Sequence, residues 1–184
     1  MVELADSMVP AIVGADRSLR RWIGLGVLLT AIFVAALDNF IVFVAIPSIR
    51  SDLGATVAQA EFIVAGYTLS FALGLITSAR LGDRFGRRRM FLIGFTSFTV
   101  ASGLCGAAPD PSSLIVFRIV QGIAGAMLTP QMLAIVRVTF IEAHERATAF
   151  AWMGVAILSA IFSLAIILGW LSFLTLAMQA SGPF

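Results

Sequence analysis

The sequence predicts an all-α integral membrane protein of about five transmembrane helices, and three observations carry that expectation. Mean hydropathy is +1.02, with 60% hydrophobic and only 12% charged residues, against about 25% charged residues in soluble domains. Apolar stretches recur at a length that suits a hydrocarbon core of about 30 Å, which takes roughly 20 helical residues. Between two of them stands Leu81-Gly82-Asp83-Arg84-Phe85-Gly86-Arg87-Arg88-Arg89, with five charges in nine residues. Such a run is expelled from lipid, so it reads as a short polar loop joining two spans.

The elements follow in order as one membrane domain over 23–178. An N-terminal segment, 1–22, carries Glu3, Asp6 and Asp16 before any arginine. The apolar run after it is longer than a signal-peptide core, so it is expected to remain as a first span, 23–46, ended by Pro47. The second span, 60–79, places Gly66, Ser70, Gly74 and Ser78 four residues apart, and Gly82 extends the series. Small residues on one stripe let helices approach closely in lipid; the same stripe is also open to a substrate-lining reading. The third span, 90–108, contains Ser102, Gly103, Gly106 and the single cysteine, Cys105, which is read as packing. One cysteine excludes an intramolecular disulfide and supports no metal framework.

Pro109 and Pro111 mark the next loop. The fourth span, 112–136, adds Gly122, Gly125 and Ala126 to the packing set and holds Pro130 as an internal kink site. The fifth, 147–178, is too long for a straight crossing; tilting, a kink near Gly169, or a course along the interface would each accommodate it. A short tail, 179–184, closes the chain. Trp22 and Trp152, near helix ends, read as interfacial anchors, and His144 with Glu142 and Glu145 as a solvated cluster rather than a metal site.

All twelve basic residues are arginines, and their placement is asymmetric. Arg17, Arg20 and Arg21 precede the first span, five arginines lie between Arg80 and Arg89, and Arg137 and Arg146 flank the fourth connection, whereas the opposite side has Arg50 alone. Ten against one places the N-terminus and both arginine-rich connections in the cytoplasm. No continuous basic face supports nucleic-acid binding. Enzyme chemistry has no foothold either: no nucleophile–base pair, metal-ligand spacing or phosphate loop is present.

Asp38 lies inside the first span and Arg118 inside the fourth, where an ionisable group costs several kcal/mol and usually faces a bundle interior or an aqueous cavity. Asp38 stands about 12 Å from the outer end of its helix and Arg118 about 9 Å from the start of its own. Those depths match, so the two are able to pair, and Gln121 shares the face of Arg118 three residues on. Asn39 points elsewhere. A structural ion pair, or an arginine reaching to the outer surface, is one reading; a proton- or substrate-linked charge in a central cavity is the other.

Taken with their spacing, three stretches resemble the major facilitator superfamily. Ala79-Arg80-Leu81-Gly82-Asp83-Arg84-Phe85-Gly86-Arg87-Arg88 is similar to its signature between spans two and three, with Ala79 where glycine usually opens the pattern. Leu114 to Gly125, with Arg118, Gln121, Gly122 and Gly125, resembles the span-four signature. Leu37-Asp38-Asn39-Phe40-Ile41-Val42-Phe43-Val44-Ala45-Ile46-Pro47 resembles the first-span signature of the fourteen-span drug:proton antiporter branch. The resemblance implies a plasma-membrane location and export of hydrophobic, often cationic compounds driven by a proton gradient, with no cofactor. It also implies a cytoplasmic gate latch of Gly82, Asp83, Arg84, Gly86, Arg87 and Arg88, with Arg118, Gln121 and Asp38 in proton and substrate coupling.

That family builds its cavity from two six-span halves. Five spans, and no glycine–proline motif within the fifth, lead to the expectation of an incomplete N-terminal half, a truncated transporter lacking its C-terminal half. A non-transporting truncated protein or partner subunit, and a transporter of another small-solute class, are the competing readings.

Overall fold

A computed structural model describes the backbone of residues 2–180 and the side chains of residues 18–175. The tail expected at 179–184, and the side chains of Glu3, Asp6, Asp16 and Arg17, lie outside the residues described in full. Five helices follow one another: α1 (Val2–Asp52), α2 (Val57–Phe85), α3 (Arg87–Gly106), α4 (Pro111–Thr139) and α5 (Ala143–Ala180). Each contains a stretch long and apolar enough to cross a membrane, and no strand occurs among the described residues. The protein is an all-helical, multi-pass membrane protein.

Local chemistry sets the helix ends. At the start of α2, the Thr56 hydroxyl accepts from the Gln59 amide at 3.2 Å while the Gln59 side chain accepts from the Thr56 amide at 3.0 Å, so two otherwise orphaned donors are satisfied reciprocally. Asp110 caps α4 by accepting from the amides of Ser112 and Ser113 at 2.9 and 3.0 Å, with Pro111 in the first turn. Hydrogen bonds from the Ser113 backbone and side chain, then the Ser112 amide, hold the Asp110 carboxyl below its ordinary value.

Two expectations change here. The charged run 81–89 is not a loop: α2 continues to Phe85 and α3 begins at Arg87, leaving Gly86 alone, at φ 94° and ψ 125°, to reverse the chain. Only glycine adopts that conformation without strain. Pro47 does not end the first span, because α1 runs on to Asp52; one missing amide donor is tolerable where the rest of the helix is held. At Gly169, α5 passes through as continuous helix.

α4 is the core of the molecule. Half of its spanning window is buried inside the protein, against 22–28% for the other four. α2 and α3 pack on α4, and α1 packs chiefly on α5. The approach of α2 to α4 depends on missing side chains: a Cβ at Gly74 would stand 2.7 Å from that of Ala126, and one at Gly66 would stand 3.0 Å from Ile119. At Gly122 a Cβ would overlap the Ser70 hydroxyl and the Tyr67 carbonyl, and at Gly125 it would press on the Tyr67 hydroxyl and the Phe71 ring. Lipid tails are as apolar as leucine, so close backbone approach supplies the association that water would otherwise drive. Other large apolar side chains of α2 face outward, with Leu73 and Ile76 70% and 72% exposed.

α1 is fastened at its Arg21 end. The Arg21 guanidinium donates to Glu145 at 3.1 Å, and Trp22 meets Phe140 edge to face at 5.3 Å between ring centres. Leu25, Leu28, Leu128, Val136, Phe140 and Met153 continue this contact into the main hydrophobic cluster.

Candidate functional site

An ionisable cluster forms where α1, α3 and α4 meet. α4 carries Arg118 and Gln121 on one face, and α1 supplies Asp38. The three close a triangle: Arg118 Nη1 donates to Asp38 Oδ2 at 2.8 Å and to Gln121 Oε1 at 2.8 Å, and Gln121 Nε2 donates to Asp38 Oδ1 at 2.8 Å. Ser102 Oγ of α3 adds a longer bond to Asp38 Oδ1 at 3.3 Å, and Cys105 Sγ donates to Gln121 Oε1 at 3.5 Å. The side chain of Arg118 is 3% exposed and that of Asp38 14%. A buried pair of this kind stands against desolvation only when the spare donors and acceptors are met, which is the work of Gln121 and Ser102.

One donor is left over. Arg118 Nε is buried with no hydrogen-bond partner among the described residues. The guanidinium lies 4.3 Å over the ring centre of Tyr67, a cation–π contact that offsets part of that cost. Tyr67 in turn accepts from Asn39 Nδ2 at 3.4 Å through its hydroxyl. Asn39 thus leaves the Asp38 face, as expected, yet rejoins the cluster through the other side of the tyrosine. Asn39, Tyr67, Ser102 and Cys105 in its packing position are members that the pattern of charges did not identify.

Two cavities flank the cluster. An apolar one of about 520 Å³ is lined by Asn39, Tyr67, Phe71, Thr129, Met132 and Met153 among others. A second, of about 460 Å³, is lined by Asp38, Ser48, Asp52, Ser102, Cys105 and Arg118 among others.

The predicted latch residues lie at the opposite end of α2. Arg87 Nη2 pairs with Asp83 Oδ1 at 3.0 Å, and Arg87 Nη1 donates to the Ala134 carbonyl at 3.4 Å. The Asp83 side chain is otherwise 67% exposed. Gly82 is buried because Gln131 fills the space a side chain would need, donating through Nε2 to the Ser78 carbonyl at 2.8 Å. Arg84 turns over Phe85, 5.6 Å from its ring centre, and Arg88 lines a groove shared with Arg20 and Arg21. Gln131 is a further buried amide that the sequence reading did not single out. Among the described residues, no group of three or more histidine, cysteine, aspartate or glutamate side chains is placed to hold a metal ion.

Much of the chain is similar in sequence to known proteins. The family description "Major Facilitator Superfamily" matches residues 28–181. A probable actinorhodin transporter of Streptomyces coelicolor is 44% identical over 138 residues, 75% of this chain and 24% of that protein. The puromycin resistance protein pur8 of Streptomyces alboniger is 42% identical over 135 residues, 73% of this chain and 27% of that protein. The multidrug efflux pump LfrA of Mycolicibacterium smegmatis is 38% identical over 132 residues, covering 72% and 26%. The chain spans about a quarter of the length of these relatives.

Proposed function

This chain belongs to the Major Facilitator Superfamily, and from that premise we propose that it supplies the first helices of a proton-coupled efflux antiporter for hydrophobic or cationic small molecules. The observation that carries the reading is the 2.8 Å pair of Asp38 and Arg118, buried among apolar helices and bordered by a cavity. A carboxylate held by one guanidinium and one amide is a site where a single proton changes the local charge, and with it the bond to Arg118. The apolar, methionine- and aromatic-lined cavity behind Tyr67 suits a hydrophobic guest, since flexible thioethers and aromatic faces adapt to varied shapes. Names of relatives such as the puromycin resistance protein and the multidrug efflux pump support export as the direction of transport.

In this reading the chain sits in the plasma membrane as the N-terminal portion of a fourteen-span drug:proton antiporter, its N-terminus cytoplasmic. Gly82 to Arg88 form a cytoplasmic latch in which the exposed carboxylate of Asp83 awaits a helix of the other half. The small residues Gly66, Ser70, Gly74, Ser78, Gly122 and Gly125 hold α2 against α4, so that both helices move as one body.

The test is a chimera in which this chain replaces the matching stretch of the Streptomyces alboniger protein, assayed in vesicles for puromycin efflux and proton counterflow. Asp38→Asn and Arg118→Ala are each expected to lower proton-linked efflux below about a tenth of the unsubstituted chimera, a loss of about 1.4 kcal/mol or more per step affected. Unchanged efflux in both variants rejects their coupling role.

A further inference from the structure

Asp38 and Asn39 are neighbours in sequence that border different cavities. Asp38 and Arg118 line the 460 Å³ cavity with Ser48, Asp52, Ser102 and Cys105. Asn39 and Tyr67 line the 520 Å³ cavity. The Tyr67 ring stands between: Arg118 lies against its face, and Asn39 binds its hydroxyl.

We infer that protons and substrate reach the charge cluster from opposite sides of Tyr67, with a dedicated proton route running along α1 from its Asp52 end between α1, α3 and α4. The inference rests on the antiporter reading above. Asp38, Ala45, Ser48 and Asp52 follow one another on the same cavity wall; fourteen residues of helix make that wall about 21 Å long. Opposite them stand Ser102, Cys105 and Gly106 of α3 and Ala108 just beyond its end, whose small side chains leave the space open. At about 30 Å³ each, on the order of ten waters fit such a volume, and the side chains of Asp38, Ser48, Asp52, Ser102 and Arg118 along it supply partners. The groups facing Asp38 are Arg118 and Gln121 from α4, Ser102 and Cys105 from α3, and Tyr67 from α2 behind the guanidinium; Asp52 stands at the far end of its own helix.

A proton arriving by this route adds to the Asp38 carboxylate, and a neutral acid then replaces the anion beside Arg118. The bond from Arg118 Nη1 loses its ionic partner, while the bond to Gln121 remains. Any resettling of the guanidinium is felt at the Tyr67 ring, which is a wall of the other cavity. Proton occupancy is thus read by the substrate side without a shared entrance.

The only cysteine of the chain lines the proposed route, so the native thiol reports on it. In sealed right-side-out vesicles holding the full chain, an impermeant trimethylammonium methanethiosulfonate added outside is expected to modify Cys105. Ser48→Trp, which plugs the cleft, should slow modification at least tenfold, whereas Ser48→Ala and Thr129→Trp, in the other cavity, should leave it unchanged. Cys105 that reacts only after detergent, or a block by Thr129→Trp instead of Ser48→Trp, overturns the route. Membrane yield of each variant, and modification in detergent, show that the protein has folded.

The transport arm uses the chimera above. Ser48→Trp should lower proton-linked puromycin efflux about tenfold and leave puromycin binding intact, and Thr129→Trp should weaken binding. Full efflux by Ser48→Trp with labelling blocked overturns the proton role of the cleft. A chimera that exports puromycin without any response to the proton gradient removes the antiporter reading itself, and it is told apart because the unsubstituted protein then fails as well.

Discussion

Arg118 shows how one side chain organises its surroundings. Its head group holds Asp38 and Gln121 through the same nitrogen, lies on Tyr67, and keeps Nε without an acceptor among the described residues. Small residues around it matter as much, because Tyr67 is positioned by what Gly122 lacks. Gly122→Ala would drive a methyl into the Tyr67 carbonyl and the Ser70 hydroxyl, and overpacking of that kind costs about 1–3 kcal/mol. The midpoint of unfolding in detergent is expected to fall accordingly, while Gly26→Ala, with nothing within 4 Å of its added carbon, holds or gains slightly. A loss at Gly26 equal to that at Gly122 would show that the close contact at Gly122 does not set the effect. Asp38, Arg118 and Gln121 were legible because charge inside an apolar run is expensive and because two of them are three residues apart on one helix. Tyr67 and Gln131 were not, since a tyrosine or an amide in a span has an apolar body and reveals its role only when another helix is brought to it. Gly82 held the clue to Gln131, as a stripe residue whose space something must fill.

Helices as units were easier to read in kind than in extent. Lipid demands about 20 apolar residues per crossing, so all five spans announce themselves by hydropathy. Their ends do not. α2 runs on past Ser78 through Arg80 and Arg84 to Phe85, and α1 past Pro47 to Asp52, because backbone hydrogen bonding continues beyond the hydrocarbon where hydropathy carries no information. The charged run therefore suggested a loop, where a single residue suffices. Gly86→Ala is expected to destabilise the α2–α3 turn by about 1–3 kcal/mol, seen as a lower unfolding midpoint in detergent. Gly86→Asn should give no rescue, since a ψ of 125° lies outside the left-handed basin that asparagine accepts. Wild-type stability in both variants would mean that the turn relaxes to another conformation.

At the scale of the whole molecule, α4 forms the buried axis and the other helices turn large apolar side chains outward, the arrangement that a lipid solvent selects. The proposed orientation rests on the charge asymmetry: with Cys105→Ser as background, a cysteine placed by Arg84→Cys should be modified only from the cytoplasmic face, and one placed by Pro109→Cys only from the exterior. Exterior access to position 84 would reverse the proposed topology. The one-residue joint at Gly86 has a bearing on biogenesis as well. With no slack between them, α2 and α3 are expected to enter the lipid as a hairpin whose closed end is held on the cytoplasmic side of the proposed topology, since carrying Arg87, Arg88 and Arg89 across the bilayer centre would cost roughly 3 kcal/mol each. The side on which that closed end is retained would then set the direction in which each neighbouring helix crosses.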